Sequence, residues 1–252
     1  MRNLKIFLLL LVLFISISSA YADGNFTDLQ NKVDNSADTL DITQDYKFDS
    51  NGDADLEEGV LINKSNYVIN GNGHTIDASN QARIFSVTGN NITINNLVFI
   101  NGISNGAAIK SEATNITIKN SYFANNTADA GGAILSIGSA NIENCLFKDN
   151  YAKFGAAVFG SQTTLEIYNS NFTSSSPINK AMIYSENSFT LLDTCIFHDF
   201  NSNYSSALFN DKLTIVRNSK FINLYANETA GAIGLKGVDY ASLSNNSFFI
   251  SS

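Results

Sequence analysis

The sequence predicts an all-β chain: one right-handed parallel β-helix, with coils of about 24 residues and a short N-terminal capping helix. Three observations predict it. The first is a recurrence. Phe99, Phe123, Phe147, Phe172, Phe197, Phe221 and Phe248 are spaced by 24, 24, 25, 25, 24 and 27 residues. Three residues before each lies Asn96, Asn120, Asn144, Asn169, Thr194, Asn218 and Asn245; five before lies Ile94, Ile118, Ile142, Ile167, Leu192, Val216 and Leu243. Self-similarity at a fixed period of this size marks a solenoid. The second observation is local. Apolar residues alternate, as in Ile92-Thr93-Ile94 and Leu165-Glu166-Ile167, which is the period of a strand. The third is chemical. Asn stands where two strands must meet at a corner, and Asn tolerates the left-handed backbone of a sharp turn.

The elements follow in chain order. Arg2 and Lys5 precede the apolar run Ile6 to Ile15, and Ala20-Tyr21-Ala22 has the small-residue form of a cleavage site. Residues 1–22 therefore read as a secretory signal peptide cut between Ala22 and Asp23. The run is shorter than the roughly 20 apolar residues that span a bilayer, and no later segment is long or apolar enough. Residues 23–59 read as an N-terminal cap and lead-in strand. Thr27 followed by Gln30 fits a capping box, and Phe26, Leu29 and Val33 share one helical face. Asp38 to Phe48 alternates as a strand. Residues 60–252 carry the repeats. Each coil supplies three strands. One is entered at an alanine and an apolar residue: Ala108-Ile109, Ala133-Ile134, Ala157-Val158, Ala181-Met182, Ala207-Leu208 and Ala232-Ile233. One is the alternating segment, and one ends in the ladder Phe. Stacking coils about 4.8 Å apart aligns like residues. The Phe become an inner ladder. Asn96, Asn120, Asn144, Asn169, Asn218 and Asn245 become a corner ladder whose amides can bond along the stack.

Removing the signal leaves 13 basic against 23 acidic residues, a net charge of −10 on 230 residues. Without a basic patch, nucleic-acid binding is excluded as a function class. A single proline, Pro177, and the lack of a linker-like stretch favour one domain. Asn occurs 35 times, and nine of these lie in N-x-[S/T] sequons: Asn25, Asn63, Asn91, Asn115, Asn125, Asn171, Asn203, Asn227 and Asn245. In an exported chain these are candidate glycan acceptors. Cys145 and Cys195 each precede a ladder Phe by two residues, two coils apart. Their Cα atoms should then lie about 9–10 Å apart, beyond the ~7 Å reach of a disulfide, so the sequence predicts two free, inward thiols.

The repeats "FANNTADAGGAI" and "FKDNYAKFGAAV" resemble those of chlamydial polymorphic outer-membrane proteins. Val60 to Phe99 resembles the opening coils of adhesin-like surface proteins of methanogenic archaea, within the pectin-lyase-like β-helix superfamily. The resemblance covers roughly residues 38–252 and implies a right-handed β-helix at the cell surface, engaged in adhesion. Fold alone does not carry function, since the superfamily includes enzymes, adhesins and fibres.

After the signal only Arg83 and Arg217 remain as arginines, and no adjacent Asp-Asp pair occurs. Asp149 and Asp199 share a repeat position and read as substitutes for Asn in a turn. His74 with Asp77 is the best polar pair, and the glycines beside it are explained by a tight turn. Asp49, Asn51, Asp53 and Asp55 match the first calcium-ligand positions of an EF-hand loop, but Ala54 and Val60 break the pattern. Residues 49–58 read as a solvated acidic loop, with weak calcium binding as the alternative. The sequence thus predicts no catalytic residue, no metal site and no cofactor. The residues before each ladder Phe point outward: Val98, Tyr122, Leu146 and Ile196 form a candidate binding surface for an extracellular glycan or a cell-surface protein. The runner-up reading is a polysaccharide lyase or glycoside hydrolase; a third is a structural envelope protein. The last coil lacks the alanine-led strand of a following coil, which predicts self-association there.

Overall fold

The structure, a computed structural model, describes residues 24–249. Residues 1–22, read from the sequence as a signal peptide, lie outside the described residues together with Asp23 and Ile250. The chain forms a parallel β-solenoid with three long sheets of eight, nine and nine strands. Sheet 1 runs from Val60–Ile62 to Ile233–Leu235, sheet 2 from Thr39–Asp41 to Tyr240–Ser244, and sheet 3 from Tyr46–Lys47 to Ser247–Phe249. Every pairing between these strands is parallel. The register is the one set by the repeat: Phe99, Phe123, Phe147, Phe172, Phe197, Phe221 and Phe248 are direct partners in successive coils of sheet 3. Thr39–Asp41 and Tyr46–Lys47 already pair into sheets 2 and 3, so pairing begins in the lead-in segment.

The interior is filled by these rows. The Phe rings from Phe99 to Phe221 are buried, and successive rings stack with centroids 4.6–5.3 Å apart. That spacing is the strand separation itself, so one geometry satisfies ladder hydrogen bonds and ring contacts together. The corner before each Phe is left-handed: Asn96, Asn120, Asn144, Asn169, Thr194, Asn218 and Asn245 have φ between 48° and 58°. Side-chain bonding there differs from a simple Asn ladder. Asn245 donates to Asn218, but Asn120 donates to Asn95 and Asn218 to Asp193, the residue just before the corner in the coil below. A second left-handed corner follows the Phe, at Asn101, Asn125, Asp149, Asp199 and Asn223. Asp149 and Asp199 are thus turn residues with the conformation of Asn. Just inside this corner lie Asn126 and Asn150, 0% and 2% exposed. Asn126 Nδ2 donates to Asn150 Oδ1 at 2.9 Å, and Asn150 Nδ2 donates to the Phe123 carbonyl at 2.8 Å.

In one coil the alanine departs from its expected place. Val158 pairs with Ile183 and Ile183 with Leu208, so Met182 takes the place held by alanine elsewhere, and Ala181 pairs one step earlier. The register itself is regular: Met182 follows Phe172 by ten residues, as Ala157 follows Phe147 and Ala207 follows Phe197, so only the alanine is displaced, within a loop of unchanged length. The corner residue of that loop, Ser174, lacks the left-handed φ of its counterparts and bonds forward to Ser176, just before Pro177.

Helix α1 (Phe26–Asn35) buries Phe26, Leu29 and Val33 on the core. Its cap is not the Thr27–Gln30 box. Asn25 is the N-cap, accepting from Asp28 N, while Asp28 accepts from Asn25 N. Gln30, one turn further on, reaches the outer strand of sheet 1: it accepts from Leu61 N at 2.7 Å and donates to Leu61 O at 3.2 Å. A side-chain amide has the same donor and acceptor as a backbone peptide, so Gln30 covers this edge as a further strand would. The acidic loop completes the cap. Asp53, 1% exposed, accepts from Phe26 N, Thr27 N and Asp49 N, placing its charge at the positive end of α1. At the other end the last described coil leaves Leu243 51% and Phe248 57% exposed.

Candidate functional site

The residues predicted as a binding surface alternate with the buried Phe and so lie on the outer side of sheet 3. The structure places Val98, Tyr122, Leu146 and Ile196 in one register-aligned row, with Asn171 between the last two. The row is low. Val98, Tyr122 and Ile196 are half-buried, while Leu146 and Asn171 are each 6% exposed. Burial pushes the Tyr122 hydroxyl pKa up, with the Asp149 carboxylate adding to it.

The outer side of sheet 1 carries a richer cluster. Val158, Ile183 and Leu208 point inward, so the next residues, Phe159, Tyr184 and Phe209, point outward in register. Their rings stack at 5.9 Å and 4.6 Å, tilted by 9° and 14°. Phe154 leans in edge-on, 5.3 Å from Tyr184 and 6.5 Å from Phe159. It is held there by a two-stranded sheet, Thr127–Ala130 with Tyr151–Phe154, in the loop between sheets 3 and 1. Lys180 closes the cluster. Its Nζ lies 4.1 Å from the Phe154 centroid, 5.5 Å from Tyr184 and 5.6 Å from Tyr204. Each such contact is worth about 0.5–1 kcal/mol where exposed. Burial raises the Tyr184 pKa, with Glu186 and Asp211 adding to it, so its hydroxyl is a neutral donor at ordinary pH. The stack ends at Gly234, the register partner of Phe209, where an added Cβ would lie 2.1 Å from Ser205 Oγ. Tyr184 is 8% exposed and Phe154, Phe159, Phe209 and Lys180 are half-buried, so this face offers ring edges and one ammonium, with the exposed phenol of Tyr204 at its rim: a surface for a ligand with apolar C–H faces and hydrogen-bonding groups.

The sequence contained a signal for this cluster. Phe159, Tyr184 and Phe209 are spaced by 25 and 25 residues, a second aromatic period beside the inner one. The contacts of Phe154, Lys180 and Tyr204 had no such signal.

The other predicted positions fall apart or take structural roles. His74 does not pair with Asp77. Its Nδ1 lies 2.9 Å from Asp45 Oδ1, while Asp77 accepts from Ser79 N and Asn101 Nδ2. The stacking of the lead-in coil under residues 71–77 brings Asp45 there. His198 pairs with Asp199, whose pKa is lowered by that bond and by Asn223. Asp149 accepts from Ser175 N and Oγ. Among the described residues no three His, Cys, Asp or Glu are grouped to hold a metal ion. The acidic loop places Asp53 on α1 rather than toward a shared centre. Cys145 and Cys195 are free and buried, their Sγ atoms directed at main-chain carbonyls. Seven of the sequon asparagines are exposed; Asn25 is half-buried and Asn171 buried. No helix among the described residues is long and apolar enough to cross a membrane. Compared with protein-family models and with curated proteins, the chain matches none.

Proposed function

We propose that this chain is a secreted, cell-surface β-solenoid of adhesin type, which binds extracellular glycans through the outer aromatic face of sheet 1. The carrying observation is the Phe159–Tyr184–Phe209 stack, set on a rigid sheet and flanked by Phe154, Tyr204 and Lys180. Phe154, Phe159 and Phe209 are half-buried and Tyr184 is buried, so a ligand would meet their edges beside the exposed ring of Tyr204. Sugar rings present C–H faces that pack on aromatic rings and hydroxyls that need partners, and this face supplies both kinds of group. The rigid solenoid keeps the ordering cost of binding low. The signal-like leader and the resemblance of the coils to adhesin-like surface proteins supply the location. The low apolar row of sheet 3, with Tyr122 and Ile196, is a second contact surface for a neighbouring surface protein. Self-association through the last coil belongs to the same reading, because Leu243 and Phe248 there are half-exposed.

The test is a glycan array run with the wild-type chain and with Phe209→Ala, beside a reducing-end assay on the glycans that bind. Binding without product release, weakened about tenfold or more by the substitution, is the expected result. Release of reducing ends would replace the adhesin reading with a polysaccharide-cleaving enzyme.

A further inference from the structure

Corner asparagines and sequons are partly the same residues. Asn91, Asn125 and Asn245 hold left-handed corners with φ of 55°, 56° and 52° and are exposed. Asn63 sits at the turn from sheet 1 to sheet 2, Asn115 is the first residue of a sheet 2 strand, Asn115–Lys119, and Asn203 and Asn227 directly follow the last strands that bend out of sheet 3 toward sheet 1. All four are exposed. The two exceptions are of another kind. Asn171 is the first residue of a sheet 3 strand, Asn171–Thr173; it is 6% exposed, and its Oδ1 is buried without a partner. Its register partners Leu146 and Ile196 flank it above and below. Asn25 holds the N-cap of α1 through its Oδ1, and its Nδ2 packs on Gly52, where an added Cβ would approach to 3.0 Å.

We infer that the fold sorts the nine sequons into seven open acceptors at the corners and strand ends and two closed ones, Asn25 and Asn171, so that attached glycans form ridges along the coil edges and leave the middle of the outer faces of sheets 1 and 3 bare. The reaction joins Asn Nδ2 to C1 of a sugar carried on a lipid pyrophosphate. The C1–O bond to the pyrophosphate breaks, the lipid pyrophosphate leaves with that electron pair, and Nδ2 gives up one proton. It needs an asparagine amide that reaches solvent with room for a sugar ring. The exposed positions provide it; at Asn91, Asn125 and Asn245 the left-handed residue at a convex turn projects away from both neighbouring sheets. At Asn171 the sugar would have to displace Leu146 and Ile196; at Asn25 it would displace the loop at Gly52 and undo the cap of α1. The inference rests on the exported reading above. It adds a consequence: the aromatic cluster of sheet 1 and the row of sheet 3 lie between glycan ridges and carry no glycan themselves.

The test uses the full chain secreted from a eukaryotic glycosylating host behind a host leader, so that delivery does not depend on the chain's own leader or on any ligand. Sites are mapped in the folded, monodisperse fraction by enzymatic deglycosylation and mass spectrometry. Glycans are expected on corner and strand-end positions, with none on Asn25 or Asn171. Thr127→Ala, which removes the Asn125 sequon without touching the corner, should delete one glycan from the intact mass. Thr173→Ala, which removes the Asn171 sequon, should leave the glycan count unchanged. A glycan on Asn171 or Asn25 in the folded fraction, or a chain bare at all nine sites, overturns the inference. Failure of the glycan array would leave this result standing.

Discussion

Removing one ring from the middle of the inner ladder should cost far more than removing the same ring from its end. Phe147 is 0% exposed and lies between Phe123 at 5.0 Å and Phe172 at 4.8 Å, both nearly parallel to it. Phe147→Ala leaves a cavity lined by two rings held in place by ladders on either side, so the site cannot collapse. The expected loss is about 3–5 kcal/mol. Phe248 has the same register position and one ring neighbour, Phe221 at 4.9 Å, but is 57% exposed. Less than half of its surface is withdrawn from water, and the corresponding loss is about 1–2 kcal/mol. Urea melts followed by circular dichroism compare the two. A solenoid is coupled coil by coil, so the central substitution is also expected to divide the unfolding transition or broaden it, while the terminal one leaves it single. Equal losses for the two variants would refute the claim that coil stacking, rather than the side chain itself, sets the value of each Phe.

Two further outcomes follow from the same geometry. Burial raises the Cys145 and Cys195 thiol pKa values to about 12. Both should therefore remain protonated and unreactive toward a thiol reagent at pH 8 in the folded chain and react fully in denaturant; a Cys145–Cys195 disulfide found by mass spectrometry would contradict the register. The two ends should also differ in association. Gln30→Ala uncovers the Leu61 edge and should increase self-association, whereas Phe249→Lys on the last coil should shift the chain toward monomer, as read by light scattering; a wild-type chain that stays monomeric at high micromolar concentration would count against association through the last coil.

Much of the fold was legible in the sequence because a solenoid repeats one local problem. Each coil must turn a corner, point a Phe inward and pair with copies of itself about 24 residues away, so residues at one position solve it alike and their spacing reveals the register. Asn at the corners and alternation along Ile116–Ile118 sufficed for that. Positions that depend on a single loop were harder to read. In the coil containing Pro177 the alanine stands one place early while the strand keeps its register, and α1 took Asn25 rather than Thr27 as its cap because Asp53 and Gly52 pack against that turn. What only the tertiary structure decided is what meets from different coils or off the repeat. Gln30 meets Leu61, Asp53 meets the amides of α1, and Asp45 rather than Asp77 meets His74. Phe154, Lys180 and Tyr204 gather over Phe159 and Tyr184 from loops of different length. Inward positions are dictated by periodicity, because every coil offers them the same neighbours. Outward ones depend on what packs beside them, and Leu146 and Asn171 are buried on a face whose alternation points them to solvent.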